Sequence, residues 1–341
     1  MNTLSTKPRA LRSRASTKAA SPPTGAQLPA TAPPAAKPQR VASAVDRPHR
    51  DFASLFSLNS KPGYYNATEK VALLRREKKP PYDEAFVDFA GSETLLQVKR
   101  RDLLLLNGAW RPLAVAGGHT LASTGPWSEV CWHREDLCDY LEIELPLSGG
   151  WRIERHLLLA RRDCFLLLAD ALIGPDQPAV EIAYAQHLPL AAEIAAVPAK
   201  ETRELALERR GRRLANILPL GIGEWRAEHA TAELAAAEGS INLRQAAVGR
   251  RMFSPLWIDL APRRLQRPIT WRRLSVGENL GIVTGDVAAG YRVQLGDEQW
   301  LIYRSLTPFG NRSILGHNTA YSFICGKLKK DGSFDPLIEI E

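Results

Sequence analysis

The chain is poor in cysteine, with four among 341 residues: Cys131, Cys138, Cys164 and Cys325. None forms a C-x-x-C pair, and Cys131 and Cys138 are spaced too openly for a zinc knuckle. Redox-thiol chemistry therefore has no motif. Cys164 lies in an apolar run and reads as a buried free thiol. A Gly-rich phosphate loop is missing, as are G-x-S-x-G and H-E-x-x-H, so nucleotide hydrolysis and metalloprotease readings have no motif either. No stretch is apolar for the ~20 residues that a membrane helix needs. The N-terminus lacks the apolar core of a signal peptide, so the expected location is cytoplasmic, or secreted if the start site is misassigned.

Acidic residues are scarce only at one end. The formal net charge is +8, and residues 1–50 hold nine Lys or Arg against the single acid Asp46. The remaining chain is balanced, with 36 basic and 36 acidic residues. The body thus offers no bulk electrostatic case for specific nucleic-acid binding. Residues 1–50 are rich in Ala, Pro, Ser and Thr, with Pro-Pro at 22–23 and 33–34. No hydrophobic period survives there, so a disordered basic tail is expected, solvating or in weak contact with nucleic acid or an acidic surface.

Helical signals are few. Asn66-Ala67-Thr68-Glu69 resembles a capping box, Val71 and Leu74 follow at helical spacing, and Pro80-Pro81 forbids continuation. One short helix is expected at about 67–78, within a linker spanning 51–84.

From residue 85 to 341 the signals are β. Three consecutive strands are expected over 151–190. Trp151 to Ala160 is half buried, Cys164 to Ile173 is apolar almost throughout, and Val180 to Leu190 alternates. A strand as apolar as Cys-Phe-Leu-Leu-Leu-Ala needs cover on both faces and belongs mid-sheet in a thick core. Asn107-Gly108 between apolar runs predicts a hairpin turn. Leu137 to Leu145 reads as a half-exposed strand. Glu204 to Arg213 has the propensity of a helix, but the alternation of Glu-Leu-Ala-Leu-Glu favours two strands over 204–220 that turn at Arg210-Gly211. Further strands are expected at Phe253 to Leu260, Ile269 to Leu274, Ala289 to Leu295, Gln299 to Leu306, Tyr321 to Leu328 and Phe334 to Ile340. Fifteen or more strands suit an all-β fold: a large antiparallel β-sandwich, supersandwich-like, of two sheets packed face to face.

The run W-x-I-E-R-x-L-L-L-A-R-R-D-x-F-L-L-L-A-D-A-L, followed by Y-A-Q-H-L-P-L, resembles the C-terminal β-sandwich domain of heparinase II/III-like polysaccharide lyases. The matching positions are Arg155, Phe165 to Asp170, and His187-Leu188. The resemblance covers residues 85–341 and implies the sandwich fold and a link to acidic polysaccharide. Such lyases carry a helical toroid before the sandwich, with much of the catalytic Tyr/His machinery in it. Only about 35 residues separate the tail from the β region here, so the resemblance implies a fold more than a reaction. Whether the chain is an enzyme stays open; if it is, polysaccharide lyase is the expected class.

Three groups of residues are candidates for chemistry. A lyase needs a base for the uronate C5 proton and an acid for the leaving oxygen, and Tyr184 and His187 are of the right type. Three apart on a strand, they fall on opposite faces and do not pair without a bulge. Some relatives bind zinc with His and Asp from this sandwich, so the resemblance implies His156, Asp170 and His187 as candidate ligands for zinc or calcium. If the turn at 161–163 centres on Arg162, His156 and Asp170 are diagonal neighbours on one face, close enough for an ion or an internal salt-bridge cluster. For sugar binding, Trp132, His133 and Arg134 form one polar-aromatic group in an expected loop. Arg304, Arg312, His317 and Asn318 form another. Asn311-Arg312-Ser313 also matches a glycosylation sequon. The expected function is a non-catalytic, carbohydrate-associated module, with an acidic polysaccharide or a partner protein chain as its contact. The alternatives are a lyase acting by β-elimination and a structural or interaction protein.

Overall fold

The computed structural model describes residues 63–77, 81–229, 231–308 and 310–341; the tail at 1–50 lies outside the described residues. The strand Phe165–Ile173 organises the rest. All nine of its residues are buried. Phe165, Leu167, Ala169, Ala171 and Ile173 enter one hydrophobic core, while Leu166, Leu168 and Leu172 enter another. Successive side chains on a strand point to opposite faces, so two apolar faces demand two covering layers.

Those layers are separate sheets. The middle sheet has eight antiparallel strands with Phe165–Ile173 at its centre, flanked by Arg152–Ala160 and Arg251–Asp259. Cys138–Pro146 and the edge strand Ser128–Arg134 continue one side; Arg212–Pro219, Leu205–Arg209 and Ala195–Pro198 continue the other. A nine-stranded front sheet packs on one face through the first core. Its inner strands are Leu103–Ala116, Val180–Pro189 and Ser240–Gly249. A five-stranded back sheet, built from Ile269–Leu274, Ala288–Leu295, Glu298–Ser305, Phe323–Leu328 and Phe334–Ile340, packs on the other through the second core. A small four-stranded sheet covers the outer face of the back sheet around Leu301, Tyr303 and Ile314. The antiparallel all-β class is as expected, but the sandwich has more layers than two. Among the described residues no helix is long and apolar enough to cross a membrane.

Several local expectations are corrected. The helix expected at 67–78 does not form over its described residues, 67–77: Tyr64–Asn66 and Val71–Arg75 are paired strands. Asn66 Oδ1 does accept from the backbone N–H groups of Thr68 and Glu69, at 3.0 and 3.1 Å. The cap closes a hairpin instead of starting a helix, because Lys70 turns left-handed at φ 54° and redirects the chain. Asn107-Gly108 makes no hairpin: Leu103–Ala116 runs straight through it. Gly108 serves close approach, since a Cβ there would sit 2.9 Å from Pro189 Cγ. Cys138–Pro146 is buried on both faces, because the back sheet covers the face expected to be wet. The two strands turning at Arg210-Gly211 are present, with φ of 51° and 75° at the turn.

Candidate functional site

The hairpin between Arg152–Ala160 and Phe165–Ile173 decides the fate of the candidate metal residues. Its turn spans 161–164 with Cys164 left-handed, which pairs Ala160 with Phe165. Asp170 therefore opposes Arg155, and His156 opposes Ala169. This register differs by one residue from a turn centred on Arg162, and one residue reverses the face. His156 and Asp170 point to opposite sides of the middle sheet and share no ion. His187 sits on a third surface, the outer face of the front sheet, where its Nδ1 lies 2.9 Å from Asn242 Oδ1. Tyr184 points inward from the same strand, so Tyr184 and His187 do lie on opposite faces. The three candidate ligands do not fit one zinc or calcium ion.

On the front-facing side, Arg155 and Asp170 form a fully buried bidentate pair, both contacts 2.8 Å. Tyr184 donates its hydroxyl to Asp170, and Arg155 also reaches Thr94 and, at 3.0 Å, the Trp110 carbonyl. The guanidinium lies 3.7 Å from the ring centre of Trp110 and 4.7 Å from that of Trp127. Every charge in this cluster is partnered and dry, and it joins the two sheets.

The back-facing side holds a second cluster. Arg304 Nη2 bonds Glu154 at 2.5 Å and Glu142 at 3.2 Å. Tyr140 donates to Glu142 at 2.7 Å and lies 2.8 Å from His156 Nδ1. The phenol has one proton, so His156 Nδ1–H donates to the phenol oxygen and Nε2 carries the lone pair. That Nε2 is buried without a partner. Burial, with Arg304 adding, drives the His156 pKa down to about 3. Burial opposes ionisation of Glu154, but Arg304 and Arg152 hold its carboxyl below the usual range. Donor atoms of Glu142, Glu154 and His156 all lie within 4.8 Å of one another, which is metal-ligand spacing. The cation between them is the guanidinium of Arg304, so the cluster is a salt bridge inside the core.

The sugar-binding candidates are dispersed. Trp132, His133 and Arg134 lie on an edge strand and not in a loop. Trp132 is half-buried and stacks on Tyr65 at 5.7 Å, and His133 Nε2 reaches Glu135 at 3.4 Å. Arg304 and Arg312 are buried; Arg312 Nη2 donates to Thr307 at 2.6 Å. His317 tilts on Phe334 at 5.6 Å, and Asn318 alone of that group is well exposed. Five tryptophans, Trp110, Trp127, Trp257, Trp271 and Trp300, are core.

The strongest surface feature is an arginine cleft at one end of the middle sheet. Three turns meet there: 100–103, 209–213 and the segment Pro262–Arg267. Two adjoining cavities of about 1150 and 630 Å³ share Arg100, Arg212 and Pro262. Around them stand Arg100, Arg101, Arg209, Arg210, Arg212, Arg213, Arg263 and Arg267, against Asp102 and Glu208. Arg100 donates to the Leu214 carbonyl at 2.6 Å, and Arg263 pairs with Glu298 at 2.8 Å. The exposed guanidinium groups of Arg101, Arg212 and Arg267 have no side-chain partner among the described contacts. Burial pulls the Arg100 pKa down; Asp83 opposes the shift, and Arg101 and Arg212 add to it. Such a crowd of like charge is relieved by an anion. The signal in sequence was the Arg-Arg pairs at 100–101, 209–210 and 212–213, which sit at strand ends beside tight turns, and at 263–264 in a short 3-10 helix.

No protein-family model matches the chain, and no curated protein matches it. Solved structures do. The heparan sulfate lyase HepC of Pedobacter heparinus and a mutant of it are each 10% identical, with TM-score 0.52, over 75% of this chain and 47% of that chain. A heparinase III structure is 9% identical at TM-score 0.46. The chain spans about half the length of these structures. The resemblance to heparinase-type lyases is thus one of fold.

Proposed function

We propose that this chain is a non-catalytic, carbohydrate-associated module of heparinase II/III-like fold that holds an acidic glycan in the arginine cleft. The cleft carries the reading. Eight guanidinium groups around two adjoining cavities match a chain of carboxylates or sulfates in charge and in bidentate geometry. Three of them are exposed and have no partner to give up on binding. The lyase alternative has less support: Tyr184 is buried against Asp170, and His187 is on the other face with Asn242. In neither cluster does a base stand beside an acid in reach of a glycan.

The test is binding and turnover measured together. The protein is titrated with heparan sulfate and with a neutral polysaccharide, and absorbance at 235 nm is followed for unsaturated uronate. The expected result is salt-dependent binding of the acidic glycan with no rise in absorbance. Arg212→Ala with Arg267→Ala should lower the salt slope of binding by about two, one per cation removed. A rise at 235 nm would instead establish the lyase. Binding untouched by the double variant would point to another surface, including one for a partner protein chain.

A further inference from the structure

A third cavity, of about 1050 Å³, opens at the other end of Phe165–Ile173, where the front, middle and back sheets meet. Its chemistry differs from that of the arginine cleft. Both signs of charge line it: Arg251 and Arg273, with Glu181 and Asp286. Its apolar walls include Met252, Phe253 and Tyr291.

Three polar side chains on this wall are each seated on a glycine. A Cβ on Gly285 would overlap the guanidinium of Arg273. A Cβ on Gly221 would overlap the Gln245 amide. A Cβ on Gly249 would come 3.2 Å from Asp286 Cβ. Gly221, Gly249 and Gly285 have ordinary backbone angles, so no turn requires them. Their lack of side chain makes room for these three groups.

Two further groups are buried and incompletely bonded. Arg251 is 5% exposed; its Nη2 bonds Asp176 at 2.6 Å, but its Nη1 has no partner. Gln245 is 7% exposed, and its Oε1 has no partner. Buried polar atoms left unpaired are uncommon and costly, and a ligand is one way to satisfy them.

We propose that this cavity binds a small polyhydroxylated carboxylate of one or two rings. The carboxylate goes to Arg273 and Arg251. The hydroxyls donate to Asp286 and Gln245, and the apolar ring face lies on Phe253 and Tyr291. A polysulfated chain is excluded by Asp286 and Glu181, and a neutral sugar leaves the arginines unanswered. The volume, about 1050 Å³, is at the upper limit of ordinary small-ligand sites, which run to about 1,000 Å³. The proposal does not depend on the arginine cleft. The same chemistry is offered by a free sugar acid and by the terminal unit of a glycan.

The test uses the full chain and ligand-observed NMR, with glucuronate, an oligosaccharide ending in glucuronate, and glucose as probes. Glucuronate should give saturation transfer and glucose none. If the oligosaccharide also binds, the natural source includes chain ends; if only the free acid binds, the site serves free acids, and both results support the cavity. Arg273 is exposed, so Arg273→Ala should fold and should weaken glucuronate roughly tenfold or more. Gly285→Ala, which displaces Arg273, should act in the same direction. Arg212→Ala with Arg267→Ala, in the distant cleft, should leave glucuronate unchanged. Absence of transfer from glucuronate, or equal affinity in Arg273→Ala, would overturn the proposal. So would loss of glucuronate binding in the cleft variant, which would assign that binding to the cleft.

Discussion

His156 shows how a single residue of apparent catalytic type is spent on packing. It is fully buried, stacks at 13° on Phe323 with centroids 5.7 Å apart, and meets Phe253 edge-on. Tyr140, Glu142, Glu154 and Arg304 surround it. Its folded pKa, about 3, lies below the unfolded value near 6.5. Between those values the unfolded chain binds the extra proton, so stability falls as pH drops through that window. The contribution at neutral pH relative to pH 3 is on the order of 4 kcal/mol. His156→Gln should flatten the pH dependence of urea midpoints between pH 6.5 and 4; an unchanged slope would refute the assignment. Arg304 tests the same cluster from the other side. Arg304→Met leaves Glu142 and Glu154 buried together and should cost about 3–5 kcal/mol in chemical denaturation at pH 7. If the cost is below about 1 kcal/mol, water reaches those carboxylates and the cluster is not dry. In sequence, His156 and Asp170 looked like neighbours because a period-two strand hides its register. The left-handed Cys164 shifts it by one residue, and nothing in Arg-Arg-Asp-Cys announces that.

At the scale of elements, hairpins carry both the fold and the cleft. The apolar strand Phe165–Ile173 was legible because two apolar faces have one physical meaning. The turn at Arg210-Gly211 was legible as well, while Asn107-Gly108 misled, because a strand glycine permits close approach as readily as a turn. The third and fourth sheets were not legible: Leu137 to Leu145 alternates as a surface strand would, yet Glu142 is neutralised inside by Arg304. Arg101 and Arg210 take left-handed φ of 54° and 51°. An L-residue with a Cβ is strained there, where Gly or Asn is the usual choice. In both turns the side chain kept at that cost points a cation at the cleft. Arg101→Gly and Arg210→Gly should each stabilise the fold by about 0.5–1 kcal/mol while weakening acidic-glycan binding. The check pairs thermal melts with titrations; if stability and affinity rise together, the arginines serve no binding role.

The whole molecule has formal charge +8, yet all of that excess belongs to residues 1–50. The body is neutral in sum, and composition therefore concealed the cleft: eight arginines of the described fold gather at one end, where only Asp102 and Glu208 join them in the cavity walls. Net charge reports long-range attraction, whereas a site is set by local arrangement, because fields are screened over about 10 Å at 0.1 M salt. Two cationic regions consequently compete to explain any retention on a sulfated matrix. Their salt dependence separates them. Removing residues 1–50 takes away nine cations and should lower retention steeply at low ionic strength, but binding should persist. In that shortened chain, Arg101→Ala, Arg212→Ala and Arg267→Ala together should reduce the slope of log K against log salt by about three and abolish retention near physiological salt. In the chain that keeps residues 1–50 the same triple variant should retain weak binding through the basic segment. If deletion alone abolishes binding, the folded body has no glycan surface and the acidic contact belongs to residues 1–50.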